Sequence, residues 1–138
     1  MKQVILVAHG KLALEMKNSV EMIFGELPKF SAVEFCKEDG LDSLKEKINQ
    51  AVTDSTEQVL ILADLFCGTP YNASCAICME DKGKEYEVVS GMSLPLVLEV
   101  ASMIDNTNIK EIAEILKEVS MQTVRSFKGQ EIEEEEDF

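Results

Sequence analysis

The stretch Val4-Ile5-Leu6-Val7-Ala8, followed at once by His9-Gly10, decides the fold of this chain. Its apolar residues include β-branched ones and show no polar alternation, which predicts a strand buried on both faces. Strands of this kind belong mainly to parallel sheets that carry helices on both sides. The beginning of the sequence therefore indicates an α/β protein.

Outward from that stretch, apolar strand patterns alternate with helical periodicity. The predicted strands are Val4–Ala8, Ala32–Phe35, Gln58–Ala63 and Tyr86–Ser90, and the predicted helices are Leu12–Phe24, Leu41–Val52, Asn72–Met79, Leu94–Ile104 and Ile109–Val119, the last with Thr107 as its N-cap. This alternation predicts right-handed crossovers and a doubly wound, mostly parallel four-stranded sheet with helices on both faces. Met121–Phe127 fits either a late edge strand or the fraying end of a helix.

The length and the charge of the chain limit the number of domains and the kind of partner. With 138 residues, 46% of them hydrophobic, it suits one compact domain better than two. We predict a domain over residues 1–128 and an acidic, disordered tail over residues 129–138. The formal net charge of −13 argues against a nucleic-acid partner, since phosphates would be repelled, and favours a basic protein surface.

The apolar segments and the cysteines indicate a cellular location. The apolar run near Met1 is too short for a secretory signal, and no segment has the length needed to span a bilayer. The four cysteines, Cys36, Cys67, Cys75 and Cys78, lack an extracellular context and are interpreted as reduced thiols. We expect a cytoplasmic protein.

The ends of the predicted strands carry the candidate functional residues, because ligands of doubly wound sheets bind outside the carboxyl ends of the strands. His9, the sole histidine, follows the first strand, and Asp64 follows the third. A carboxylate that accepts Nδ1–H would leave Nε2 as a nucleophile and stabilise positive charge developing on the ring. The alternative interpretation of Asp64 is an ordinary turn- or helix-capping aspartate.

The segment Cys67-Gly68-Thr69-Pro70 is a candidate anion cradle. Glycine lets backbone amides approach an anion, proline suits a first helical turn, and the helix N-terminus carries partial positive charge. Thr69 adds a hydroxyl donor. The later pair Cys75 and Cys78 is interpreted as inert helical thiols, because redox pairs sit at a helix start and zinc would need more ligands. No metal and no cofactor are expected.

Three motifs together resemble a known family. Ala8-His9-Gly10, Asp64 with Gly68-Thr69-Pro70-Tyr71-Asn72-Ala73-Ser74, and Gly91-Met92-Ser93-Leu94-Pro95-Leu96-Val97 are similar to the enzyme IIA component of the mannose-type sugar phosphotransferase system (PTS). The similarity extends over almost the whole chain to about Lys128. The chain departs from the family at Cys67, where a glycine is common, and this departure demands either a narrower cradle or a different backbone angle.

The resemblance implies an activity and a set of partners. His9 matches the phosphorylated histidine, Asp64 its hydrogen-bonding carboxylate, and Thr69 the hydroxyl that meets the phosphoryl group. The implied enzyme is a phosphotransferase with a phosphohistidine intermediate, which accepts the group from HPr and donates it to enzyme IIB. It would be a homodimer that exchanges Met121–Phe127 as a C-terminal antiparallel strand and meets the membrane only through a IIC/IID permease.

Other functions stay open at this point. A related IIA-like carrier serves a dihydroxyacetone kinase instead of a permease, and the motifs do not separate the two. A response-regulator receiver phosphorylated on Asp64 would need further acids after the first strand to hold Mg²⁺, and Ala8-His9 supplies none. An inert flavodoxin-like binding domain would form no covalent adduct.

Overall fold

The computed structural model describes residues 1–128, which form alternating strands and helices. The elements in chain order are β1 (Lys2–His9), α1 (Leu12–Phe24), β2 (Phe30–Phe35), α2 (Leu41–Ala51), β3 (Gln58–Ala63), α3 (Thr69–Glu80), β4 (Glu85–Val89), α4 (Leu94–Met103) and α5 (Ile109–Ser120). All the predicted strands and helices are present. Helix α1 and strand β3 have the predicted bounds, and the other elements differ from the prediction only at their ends.

The strands form one parallel sheet in the order β2-β1-β3-β4. β1 is hydrogen-bonded on both sides, to β2 and to β3, and Val4–Ala8 are fully buried. This central position explains why the first apolar run shows no alternation. The predicted α/β fold with helices on both faces is confirmed.

Side chains that alternate along β1 contribute to two separate cores. Val4, Leu6 and Ala8 face the core formed with α1, α4 and α5. Ile5 and Val7 face the core formed with α2 and α3. Continuing the alternation by one residue puts His9 on the side of α3, at the carboxyl end of the sheet. The position of His9 is thus a consequence of strand register.

One helix start and one helix cap differ from the predicted ones. Helix α3 begins at Thr69 and not at Asn72, because Pro70 lies in its first turn, where a missing N–H costs nothing. Helix α5 is capped by Asn108, whose Oδ1 accepts from Glu111 N at 2.9 Å, and not by Thr107. The early start of α3 matters more, because it brings the positively polarised N-terminus of this helix closer to Asp64 along the chain.

The chain beyond α5 carries no regular element as far as it is described. Residues 121–128 form neither the edge strand nor the helical continuation that the sequence allows. The predicted disordered tail, residues 129–138, lies outside the described residues. Within residues 1–128, no helix is long and apolar enough to cross a membrane.

Candidate functional site

His9 is the last residue of β1 and marks the point where buried strand gives way to solvent. Ala8 is fully buried, whereas half of the His9 side chain is exposed. Gly10 has φ +58°, a left-handed conformation that L side chains adopt rarely, so the backbone turns sharply directly after the histidine. The imidazole is therefore attached to the central strand of the sheet, while its ring remains accessible to another molecule.

Asp64 binds His9 at two points. Its Oδ2 atom accepts the backbone N–H of His9 at 3.1 Å and lies 2.9 Å from His9 Nδ1. An ionised carboxylate can only accept, so the ring proton of neutral His9 belongs on Nδ1. Nε2 then keeps its lone pair, and Asp64 would also stabilise positive charge that builds up on the ring.

The second oxygen of Asp64 has unused hydrogen-bonding capacity. The Asp64 side chain is only 11% exposed, and its Oδ1 atom is buried without a hydrogen-bond partner among the described residues. A buried carboxylate oxygen of this kind costs stability. A carboxylate with such an unsatisfied oxygen is typical of a residue that serves chemistry and not folding.

The loop between β3 and α3 runs close to the imidazole. Gly68 directly precedes α3, and a Cβ built on Gly68 would lie 3.4 Å from His9 Cε1. Cys67 adopts φ +65°, so this chain places a cysteine in the left-handed region that glycine tolerates best. The Cys67 side chain is exposed.

The N-terminus of α3 lies directly after this loop. The first hydrogen bond of the helix runs from Asn72 N to Gly68 O at 2.9 Å, so the amides of Thr69 and Tyr71 precede it, while Pro70 has none. Amides at a helix start attract anions. Of the predicted residues, the structure brings His9, Asp64 and Gly68 together and positions Thr69 at the first residue of the helix.

Phe35 is a residue of the site that the sequence reasoning missed. It ends β2 in register with His9, and its ring lies edge to face with the imidazole, with 5.4 Å between centroids and 83° between planes. Gly10 N also donates to Phe35 O at 2.8 Å. The sequence did contain a signal for this residue. The second predicted strand ends at Phe35, and a parallel strand beside β1 would place its last residue opposite His9.

Exposed apolar and aromatic side chains surround the loop. Leu65 is 58% exposed and Phe66 65% exposed, and the Phe66 ring lies 5.1 Å from that of Tyr71. A hydrogen bond with the Cys75 thiol, together with partial burial, raises the pKa of the Tyr71 hydroxyl, so this tyrosine stays neutral near pH 7. The rim of the site is thus apolar and uncharged on this side.

The remaining cysteines of α3 lie away from the imidazole. Cys75 and Cys78 are half-buried in the helix body, and burial raises the pKa of the Cys78 thiol. A raised pKa lowers the thiolate fraction, which fits the interpretation as inert thiols. In the portion of the chain that is described, no group of three or more histidine, cysteine, aspartate or glutamate side chains could hold a metal ion.

Known proteins share this sequence pattern and this fold. Residues 3–117 match the family EIIA-man, described as PTS system fructose IIA component. The chain is 42% identical over 118 residues to the sorbose-specific EIIA component of the PTS of Lacticaseibacillus casei, covering 85% of this chain and 84% of that protein. It is 39% identical over 125 residues to the fructose-specific EIIA component of Bacillus subtilis, covering 89% of this chain and 84% of that protein.

A solved structure agrees with this sequence relationship. The mannose/sorbose-specific IIA subunit of the phosphotransferase system of Enterococcus faecalis superimposes with a TM-score of 0.82 at 30% identity. The superposition covers 93% of this chain and 96% of that one.

Proposed function

The chain belongs to the EIIA-man family of PTS IIA components, and from that premise we propose that it carries a phosphoryl group on His9 Nε2, taken from phospho-HPr and given to enzyme IIB. The observation that carries the proposal is the contact of 2.9 Å between His9 Nδ1 and Asp64 Oδ2, beside a half-exposed ring. This contact keeps Nε2 free as the nucleophile.

The proposed step is an exchange between two histidines. The lone pair of His9 Nε2 attacks phosphorus as the bond from phosphorus to the donor's imidazole nitrogen breaks, and the donor ring keeps that electron pair. The His9 proton stays on Nδ1, held by Asp64. Amides of Thr69 and Tyr71 and the Thr69 hydroxyl would receive the phosphoryl oxygens. Positioning and charge stabilisation carry the catalysis.

The apolar rim supports protein partners for this step. Leu65 and Phe66, which are both more than half exposed, follow Asp64 directly, and Leu12, 46% exposed, follows the His9 turn. Exposed apolar side chains around a reactive group are typical of surfaces that bind another protein. HPr and enzyme IIB would dock here in turn, one to load the imidazole and one to unload it.

Incubation with enzyme I, HPr and phosphoenolpyruvate tests the proposal. Intact-mass analysis should show one added phosphoryl group, labile in acid and stable in base, and His9→Gln should show none. Labelling that survives in His9→Gln would overturn the proposal, and a base-labile adduct would instead indicate an acyl phosphate on Asp64. Discharge by a IIB protein, but not by a dihydroxyacetone kinase subunit, would identify the acceptor as part of a sugar transporter.

The edge strand β4 supports the proposed homodimer. It pairs with β3 on one side only, and a groove of about 460 Å³ beside it is lined by β4 residues such as Val88 and by α5 residues such as Lys117. Open strand edges pair readily with an added strand. The partner's Met121–Phe127 would supply it, since Val124 and Phe127 are 89% and 77% exposed.

Light scattering after size exclusion tests the dimer. The full chain should elute as a dimer, whereas the double substitution Val124→Glu and Phe127→Glu should give a monomer. A monomeric unmodified chain at micromolar concentration would contradict this part of the proposal without touching the role of His9.

A further inference from the structure

We propose that Phe35 is a positioning residue that holds the imidazole of His9 with Nε2 turned toward an incoming phosphoryl group. The kinetic part of this inference rests on the proposed carrier function, whereas the orientation of the ring does not. Phe35 lies on β2, the strand on the opposite side of β1 from Asp64, and it makes no hydrogen bond to the ring.

Asp64 alone leaves a degree of freedom. A hydrogen bond from Nδ1 to one carboxylate oxygen fixes a single atom of the imidazole, and coupled changes of χ1 and χ2 can still turn the ring plane. The His9 side chain is half exposed, so solvent does not prevent such a turn. In-line transfer needs the Nε2 lone pair within a narrow range of directions.

Phe35 supplies the second contact. Its ring centroid lies 5.4 Å from that of His9 at an interplanar angle of 83°, the edge-to-face arrangement that aromatic pairs prefer. A turn of the imidazole plane through χ1 and χ2 would drive ring atoms into Phe35 or open a gap beside it. Either change loses the contact.

Phe35 is itself held in place. Its carbonyl accepts from Gly10 N at 2.8 Å, its Cα is in register with that of His9, and its side chain packs on the core between the sheet and helices α2 and α3. Directly after it, Cys36 N donates to Asp39 Oδ2 at 2.8 Å, and Lys47 Nζ donates to the same oxygen at 2.6 Å. The aromatic contact is therefore made from a rigid strand end.

Gly68 closes the third side of the ring. The loop backbone passes so near that a Cβ on Gly68 would lie 3.4 Å from His9 Cε1. Asp64 holds Nδ1, Phe35 holds the ring plane and Gly68 faces Cε1, which leaves Nε2 as the accessible nitrogen. These three contacts together define one ring orientation.

Single-turnover phosphorylation by phospho-HPr tests the kinetic consequence. We expect Phe35→Leu to lower the rate at saturating donor about threefold to tenfold, the loss expected for an edge-to-face pair, with little change in the donor concentration that gives half the maximal rate. Phe35→Tyr, which keeps the ring, should restore the rate. Phe24→Leu is the matched control, because Phe24 is a half-exposed residue at the end of α1 remote from His9 and should leave the rate unchanged.

Nuclear magnetic resonance of the unphosphorylated protein tests the orientation directly. His9 is the only histidine, so its ring nitrogen and carbon signals are assigned without mutation. Phe35→Leu should shift the His9 Cε1–H and Cδ2–H signals and average the couplings that report the His9 χ1 angle, while Phe35→Tyr and Phe24→Leu preserve them.

The two measurements separate the possible failures. Ring signals and couplings that stay the same in Phe35→Leu overturn the positioning role, whether or not His9 is phosphorylated. If Phe35→Leu alters the ring signals but the unmodified chain is not phosphorylated, the positioning role of Phe35 stands and the carrier function is rejected. A Phe35→Leu rate equal to that of the unmodified chain would likewise overturn the kinetic role.

Discussion

The two ends of the central strand β1 treat polar groups in opposite ways. At the amino end of β1, the Gln3 side chain donates to Ala51 O at 2.6 Å and accepts from Thr53 N at 3.2 Å and from Thr56 Oγ1 at 3.0 Å. Gln3 and Thr56 are buried, at 8% and 2% exposure. Every one of these contacts satisfies a group that folding removes from water.

Lysine ammonium groups complete the amino end. Lys84 Nζ donates to the carbonyls of Thr53, Asp54 and Thr56 at 3.3, 3.1 and 2.6 Å. Lys2 Nζ donates to Ile104 O and Thr107 O at 3.2 and 2.7 Å. The loops that lead into the strands here are therefore held by lysine ammonium groups.

The carboxyl end leaves groups unsatisfied. Asp64 Oδ1 is buried without a partner among residues 1–128, the His9 ring is half exposed, and Cys67 holds a left-handed backbone angle. Each of these features costs stability, and together they surround one nucleophilic nitrogen. The comparison teaches that the surroundings of β1 are built for stability at its amino end and for chemistry at its carboxyl end, so substitutions at Gln3 and at Asp64 should separate stability from activity.

Asp64→Asn should show the largest effect. The amide keeps the shape of the side chain but removes the charge that holds Nδ1–H, so the rate of phosphorylation by phospho-HPr should fall at least about a hundredfold. The free energy of unfolding, measured by urea denaturation with far-UV circular dichroism because the chain lacks Trp, should stay level or rise. A large loss of stability would contradict the division between the two ends.

Gln3→Leu should show the opposite pattern. It leaves the Thr53 amide and the Ala51 carbonyl without partners, and we expect the free energy of unfolding to fall by about 2–3 kcal/mol, with an unchanged phosphorylation rate in the folded fraction. Gln58→Leu, on the neighbouring strand, is the matched control. Gln58 donates at 3.2 Å to exposed Glu85, so its loss should cost less than about 1 kcal/mol.

Cys67→Gly should raise stability modestly. Glycine adopts φ +65° without the steric cost that a Cβ brings, so the free energy of unfolding should exceed that of Cys67→Ala by about 1 kcal/mol. Urea denaturation of the two variants side by side measures the difference. Equal stabilities would mean that the loop at the carboxyl end stores no strain at this position.

Acid should weaken the loop that follows β2, at the carboxyl end of the sheet. Hydrogen bonds from Lys47, from the Cys36 amide and from Ser43 lower the pKa of Asp39 from 3.8 to about 2. Because the folded-state pKa lies below that of the unfolded chain, the contribution of Asp39 is complete above about pH 4 and is lost as the pH falls toward 2.

Denaturation curves at pH 7 and pH 3 measure this effect. Asp39→Asn should flatten the loss of stability between the two pH values, since it removes the titrating group. Gln3→Leu should lower stability equally at both, because the amide and the hydroxyl groups of its network do not titrate. An unaltered slope in Asp39→Asn would assign the acid sensitivity to other carboxylates.

The sequence predicted less about helix faces than about helix bounds. Helix α1 was predicted from the periodicity of Leu12, Val20 and Ile23, among others, and its bounds are correct. Only Val20 of these three is buried, however, while Leu12 and Ile23 are 46% and 57% exposed. A helical period indicates an apolar stripe, but the part of the stripe that meets the sheet depends on the rotation of the packed helix.

By itself, the sequence determined the alternating elements, the parallel sheet and the residues that follow each strand, because apolar periodicity and position along a strand are local properties. The tertiary structure decided which strand ends meet. The order β2-β1-β3-β4 brings Phe35 to one side of His9 and Asp64 to the other, and no local pattern encodes that order.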